Sequence, residues 1–223
     1  MKLLAIDSST PILSIALCNG EDIFYTDTEP CMGHSELAID LIDEQLKKAE
    51  LPPCDLEGVL CMGGPGSFTG LRIGYSIAKG LSLSLSIPFA PIPTLDCFVF
   101  QVSEYSLSVI EARKGSYFYA FFNKNERLTS DKEASAIQIT EEIKNILISE
   151  TDKIIITGPG SESLYNSLHE DLKNNITLNY TNRGYAKELI GIAKTQDIFS
   201  KDCSAYLNCG PEYIRKTDAE LNS

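Results

Sequence analysis

The 223-residue sequence predicts an α/β fold of two duplicated lobes, each a mixed sheet of βββαβα order with helices packed on it. Three observations predict it. Asn19-Gly20 joins two apolar runs as a hairpin turn and opens a meander of strands. Strand-like and helical segments then alternate, as parallel pairing through crossovers requires. The same order of elements starts again near Leu107, which is the pattern of internal duplication even though no residue-level repeat is visible. The lobes are expected at residues 1–103 and 104–223, the second one smaller.

In the first half, Lys2–Ile6, Ile12–Cys18 and Asp22–Tyr25 read as strands. From Ser35 to Ala49, Leu37, Ala38, Leu41, Ile42, Leu46 and Ala49 recur at three and four spacing among charged residues, which makes an amphipathic helix that Pro52-Pro53 ends. Gly58–Met62 is a short buried-type strand. The glycine-rich run Gly63-Gly64-Pro65-Gly66-Ser67-Phe68-Thr69-Gly70 turns the chain into a helix over Thr69–Leu85, followed by a strand at Phe89–Ile92 and a helix from Thr94 to about Ser103. In the second half, Leu107–Ala112 and Tyr117–Phe122 form a hairpin, with Arg127–Leu128 a weaker third strand. A helix over Thr140–Ser149, a strand at Lys153–Thr157 and a helix at Ser161–Leu168 follow. A strand near Ile176–Leu178, a helix over Tyr185–Phe199 and an extended tail through Tyr206–Lys216 complete the chain.

With 43% hydrophobic and 22% charged residues, the composition is that of a folded globular chain. Lys+Arg 19 against Asp+Glu 31 give a net charge of −12, so the mean field repels phosphate backbones and anionic membranes. The N-terminal apolar run is too short for a signal peptide, and no stretch approaches the roughly 20 apolar residues of a membrane helix; a cytoplasmic location is expected. In that reducing setting the seven scattered cysteines read as small core residues.

The residues offer little independent chemistry. The glycine-rich run lacks the Lys-Ser/Thr of a Walker loop and the acidic partner of a dinucleotide fingerprint. It reads either as a tight strand-to-helix connection or as an anion cradle, the first being the commoner use of such a pattern. Asp7-Ser8-Ser9-Thr10 after the first strand suits a phosphate but is also ordinary turn chemistry. Thr157-Gly158-Pro159-Gly160-Ser161 reads as a nucleotide-facing loop or as a helix entry with Ser161 as N-cap. His34 and His169 are the sole histidines and form no zinc pattern with the cysteines, so no metal site is expected. The helix over Thr69–Leu85 is apolar on most of its circumference, with Gly70, Gly74 and Ala78 in a ridge beside Leu71, Ile73, Ile77 and Leu81. Either the domain covers both faces or one face awaits a partner subunit.

Several segments together resemble one family. Lys2-Leu3-Leu4-Ala5-Ile6-Asp7-Ser8-Ser9-Thr10, His34-Ser35-Glu36-Leu37 and Gly64-Pro65-Gly66-Ser67-Phe68-Thr69-Gly70-Leu71-Arg72-Ile73-Gly74 resemble TsaB (YeaZ) proteins of bacterial tRNA threonylcarbamoyladenosine biosynthesis. The likeness continues at Ile92-Pro93-Thr94-Leu95, at Glu111-Ala112-Arg113-Lys114-Gly115, where Asp-Ala-Arg is more usual, and at Pro211-Glu212-Tyr213-Ile214-Arg215.

That resemblance implies an actin-like fold of the Hsp70 and sugar-kinase type. It also implies a non-catalytic subunit that pairs with a TsaD-type catalytic subunit, joined by a TsaE-type ATPase, to support N6-threonylcarbamoylation of the adenosine 3′ of the anticodon. Contact with tRNA is expected only through the complex. The catalytic relatives carry a His-x-x-x-His metal pair after the strand that corresponds to Phe89–Ile92, where this chain has Pro93-Thr94-Leu95-Asp96-Cys97-Phe98. The resemblance assigns the partner interface to the two first-lobe helices through His34, Leu37, Leu41, Phe68, Gly70, Leu71, Gly74, Ile77, Ala78 and Leu81, and leaves a homodimer or a monomer open when the partner is absent. Asp7, Ser8, Ser9 and Thr10 become a vestigial phosphate loop, with serine where the actin-like loop usually has glycine. No cofactor is expected; a nucleotide at the partner interface is the one ligand left open. The competing classes are an actin-like ATPase or phosphotransferase, which requires a working Asp7, and a metallopeptidase-like hydrolase, for which the sequence has no ligand or nucleophile constellation.

Overall fold

The computed structural model describes residues 1–30, 33–102, 105–146 and 153–214. These divide into two compact units, Met1–Cys97 with Arg183–Glu212, and Phe98–Asn182 with Tyr213 and Ile214. The expected boundary at 103/104, the end of the helix expected to reach Ser149, and Arg215-Lys216 of the tail lie outside the described residues.

The first unit begins with β1 (Lys2–Asp7), β2 (Ser14–Asn19) and β3 (Asp22–Asp27), an antiparallel meander in which Leu4 faces Leu17 and Leu17 faces Phe24. Helix α1 (His34–Lys48) crosses to β4 (Gly58–Gly64), which pairs parallel to β1. Helix α2 (Phe68–Leu85) then leads to β5 (Phe89–Pro93), parallel to β4. The sheet order is β3-β2-β1-β4-β5. Alternation along the strands sorts their side chains onto two faces. Leu4, Ile6, Ile15, Leu17, Val59 and Cys61 pack with Ala38, Ile42 and Leu46 of α1 and Tyr75 and Ala78 of α2 in one core. Helix α1 follows its sequence pattern: Glu36 lies in its first turn, Lys47 and Lys48 in its last, and Asp43–Lys47 and Glu44–Lys48 pair at i,i+4. Helix α2 starts at Ser67, whose hydroxyl accepts the Gly70 N–H at 3.2 Å, and stops at Ser86 in the left-handed region.

A short helix, α3 (Thr94–Phe98), leads into the second unit, shorter than the expected run to Ser103. There β6 (Tyr105–Arg113), β7 (Ser116–Asn123) and β8 (Glu126–Arg127) form a second meander, and β9 (Lys132–Ser135), which the residue pattern did not signal, adds to β7. Then come α4 (Ala136–Ile146), β10 (Ile154–Thr157), α5 (Ser161–Ser167), the single turn α6 (Glu170–Lys173) and β11 (Ile176–Asn179). Their order is β11-β10-β6-β7-β8, the first sheet's order element for element. Leu107, Val109, Tyr117, Tyr119, Phe121, Ile139, Ile143, Ile154 and Ile156 form the second core. The duplication read from the sequence is thus present as topology.

The last quarter of the chain differs from expectation. Helix α7 (Ala186–Thr195) follows β11 in sequence but packs on β1, β2 and β4 of the first unit, with Ala186, Leu189, Ile190 and Ala193 buried. The reason is the first sheet's second face, which Leu3, Ala5, Ala16 and Leu60 leave apolar and which α1 and α2 do not cover. Residues 183–212 therefore belong with the first unit rather than with a lobe over 104–223. The tail expected to be extended carries a 3₁₀ turn at Ser204–Asn208.

Candidate functional site

The loop after β1 is buried and closed by its own chain. Asp7 is fully buried; its Oδ1 accepts the Ser9 N–H at 3.0 Å and the Ser9 hydroxyl at 2.7 Å, and its Oδ2 accepts the Tyr185 N–H at 3.0 Å. Tyr185 is the residue that caps α7, so the carboxylate that a phosphate loop would turn outward instead ties the last helix to the sheet. Asp27 repeats this at the end of β3, two strands over, where its Oδ2 accepts the Gly184 N–H at 3.2 Å. The Ser8 hydroxyl donates to the Gly70 carbonyl at 2.8 Å, the Ser9 carbonyl accepts the Ser67 N–H at 2.8 Å, and the Thr10 hydroxyl donates to the Ile12 carbonyl at 3.2 Å.

Burial pushes the Asp7 carboxyl above the usual aspartate range; the hydrogen bonds from Ser9 and Tyr185 oppose that shift, and the nearby Asp27 charge adds to it. A raised folded-state pKa means that this group's contribution to stability is fully present below the unfolded value near 3.8 and is lost as pH rises through the folded value. Relative to Asp7→Asn, which has no proton to lose, the wild type is expected to lose urea resistance as pH climbs through that window. Parallel urea midpoints from pH 4 to pH 8 check this, and a wild type that gains on the variant with rising pH contradicts it.

The glycine-rich run brings α2 down onto this loop. A Cβ on Gly70 would lie 1.9 Å from the Ser8 carbonyl oxygen, and one on Gly74 2.7 Å from the Ser8 hydroxyl. Gly70, Leu71, Gly74 and Ala78 are buried beneath α2. Their ridge faces the sheet and corrects the expectation that it faces a partner, because the glycines are what permit α2 to approach β1 so closely. His34 is likewise buried, with Nε2 3.2 Å from the Pro11 carbonyl.

What the helix pair turns outward is different. Leu37 (39% exposed) and Ile39 (54%) on α1, and Phe68 (38%) and Leu83 (66%) on α2, are large apolar side chains in solvent. Leu41, Ile77 and Leu81 are half-buried at the edge of the core. The Arg72 guanidinium lies 3.8 Å over the Phe68 ring. Ser76 and Gly80 are exposed between them, so α2 presents small and apolar positions together. Leu83 was not among the residues expected here; the three-four phase of α2 places it with Ser76 and Gly80, whereas Ile39 lies about 200° round α1 from Leu37, on that helix's other flank.

The second-unit loop after β10 is also a packing device. Gly158 adopts φ 99°, the Thr157 hydroxyl donates to the Phe98 carbonyl at 3.2 Å, and the Gly160 N–H donates to the Val109 carbonyl at 3.1 Å. Gly160, not Ser161, caps α5, and the buried Ser161 hydroxyl has no partner among the described residues. Burial pushes the Cys61 and Cys97 thiols far up. Cys18, Cys61, Cys97 and Cys203 are buried as expected, whereas Cys54 and Cys209 are exposed. Among the described residues no three His, Cys, Asp or Glu side chains converge as metal ligands, and no helix is long and apolar enough to cross a membrane.

Two mixed sheets of identical order, a self-occupied loop at Asp7 and an outward apolar helix pair define a duplicated, actin-like protein. Residues 31–196 match the family model described as "TsaD: tRNA N6-adenosine threonylcarbamoyltransferase". The chain is 26% identical over 229 residues to the tRNA threonylcarbamoyladenosine biosynthesis protein TsaB of Bacillus subtilis, covering 99% of this chain and 96% of that one. The TsaB of Buchnera aphidicola from Schizaphis graminum is 31% identical over 166 residues, 71% of this chain and 78% of that one. YeaZ from Pseudomonas aeruginosa superposes with a TM-score of 0.72 at 18% identity, over 87% of this chain and 92% of that one, which shows a shared fold. The chain belongs to the TsaB/YeaZ family.

Proposed function

We propose that this chain is a non-catalytic partner subunit that heterodimerises with a TsaD-type threonylcarbamoyltransferase and supports N6-threonylcarbamoylation of the adenosine 3′ of the anticodon in tRNA. The observation that carries this reading is the outward apolar face of α2, with Phe68 and Leu83 in solvent, together with the exposed Leu37 on one flank of α1, on an otherwise well-packed unit. The related biosynthesis proteins supply the pathway. The engaged state of Asp7 supports a role without phosphoryl chemistry, since its carboxylate oxygens already accept three hydrogen bonds from the chain itself.

On this reading the docking face consists of Leu37, Leu41, Phe68, Ile77 and Leu81, extended by Leu83. The same face serves a homodimer when the catalytic subunit is absent, and a TsaE-type ATPase joins the heterodimer. A net charge of −12 leaves the grip on tRNA to the partner. The complex works in the cytoplasm.

Depleting the protein and quantifying tRNA nucleosides by mass spectrometry tests the role. Threonylcarbamoyladenosine is expected to fall to background and to return on re-expression of the wild type; an unchanged level overturns the proposal.

A further inference from the structure

Residues 198–212 cross the outer edge of the first sheet from the bottom of β4 to its top. At the bottom, the Phe199 ring lies over Gly58, where a Cβ would come within 2.7 Å of it. Midway, the turn at Ser204–Asn208 packs against β5, and Leu207 reaches the core between the sheet and α2. At the top, the Glu212 N–H donates to the Gly63 carbonyl at 2.8 Å. This crossing is not strand pairing. The Val59 N–H donates to the Pro88 carbonyl, so alternation turns residues 89, 91 and 93 to the free edge, and Pro91 and Pro93 have no N–H to offer there.

The middle of the crossing is held by one side chain. Lys79 of α2 donates from Nζ to the Leu207 carbonyl at 2.9 Å and to the Cys209 carbonyl. Tyr75, one turn earlier on α2, lies 5.7 Å from the same ammonium. Ser204, Ala205, Tyr206, Asn208, Cys209 and Gly210 are exposed, so little apolar burial backs these bonds up. Bonds from a charged donor to two carbonyls are strong individually, and a segment with so few buried contacts opens locally at low cost.

We propose that residues 204–212 form a releasable strap on the β5 edge, latched to α2 by Lys79. When the latch opens, residues 204–212 leave the edge while the core beneath stays folded, because Leu207 is a peripheral contributor to that core. Lys79 lies one turn from Ser76, at the border of the outward face of α2, so the strap and a partner seated there influence each other reciprocally. This last consequence rests on the docking reading above.

Amide hydrogen exchange on the full chain tests the strap. In Lys79→Met, which keeps the stem and removes the ammonium, exchange at Glu212 and across 204–212 is expected to rise at least tenfold, with β1 and β4 unchanged. Lys79→Arg, which retains donors and charge, is expected to restore most of the protection. Unchanged exchange in Lys79→Met, or a rise that spreads equally to β1 and β4, overturns the latch. Leu207→Ala is a second lesion at the same segment with the same expected pattern. With a purified TsaD-type subunit bound, Glu212 exchange is expected to shift in the wild type; a complex that forms without any shift overturns the linkage, whereas failure to form a complex counts against the docking reading and leaves the free-chain result to decide the latch.

Discussion

Gly70→Ala is expected to cost this protein about 3 kcal/mol or more of stability, because its new methyl would sit 1.9 Å from the Ser8 carbonyl oxygen. Relief requires α2 to lift from β1, which breaks the bond from the Ser8 hydroxyl to the Gly70 carbonyl and disturbs the Ser67 cap. Gly74→Leu acts in the same direction, so a bulky residue there damages the fold rather than a partner contact. The contrast is Gly80, also on α2, where nothing lies within 4 Å of a new Cβ. Gly80→Ala is expected to stabilise by about 0.5–1 kcal/mol through helix propensity alone. Urea midpoints of the two alanine variants, moving in opposite directions from the wild type, check the inward and outward faces of α2 in one experiment. A Gly70→Ala protein as stable as the wild type contradicts the packing described.

Cutting the chain at residue 103 is expected to leave an N-terminal fragment that does not fold cooperatively. Residues 183–212 supply α7, which covers the second face of the first sheet with Ala186, Leu189, Ile190 and Ala193. Burying Leu189 and Ile190 alone stabilises by about 1.5–3 kcal/mol each, and the entry to α7 also provides the Tyr185 and Gly184 N–H groups that satisfy Asp7 and Asp27. Without them, two carboxylates lose donors and an apolar sheet face meets water, a loss comparable to the whole stability of a domain, about 5–15 kcal/mol. Joining 183–212 to residue 97 through a flexible linker is expected to restore a sharp thermal transition. Circular dichroism melts of both fragments check this, and a cooperative transition in 1–103 alone contradicts it.

Much of the fold was legible because period and turn chemistry are local. Asn19-Gly20 marked the first hairpin, the three-four pattern of Leu37 to Leu46 marked α1, and the meander-then-alternation order identified both sheets. Strand β9 was not legible: Lys-Glu-Ala-Ser has no strand pattern, and its place is set by antiparallel pairing with β7, backed by the Ser116 hydroxyl donating to Glu133. The destination of α7 was invisible for the same reason, since its own residues say only that one face is apolar, not which sheet it covers. At the candidate site, Asp7 to Thr10 was found by residue type, but its partners Tyr185 and Ser67 lie far along the chain, and hydrogen-bond partners have no period. The glycine ridge is ambiguous in sequence, because Gly70, Gly74 and Ala78 suit close contact with a partner helix and with the chain's own loop equally well; the Ser8 loop decides between them.

The most direct test of the docking face is the affinity of a purified TsaD-type subunit for the wild type and for Leu83→Asp, measured by calorimetry. Leu83 is exposed and outside the core, so Leu83→Asp is expected to keep the wild-type melting temperature. Its affinity is expected to fall by roughly a hundredfold, as befits an aspartate forced into a buried apolar contact. Equal affinity of both proteins, with the fold of each intact, would contradict the assignment of the α1–α2 face as the subunit's docking surface.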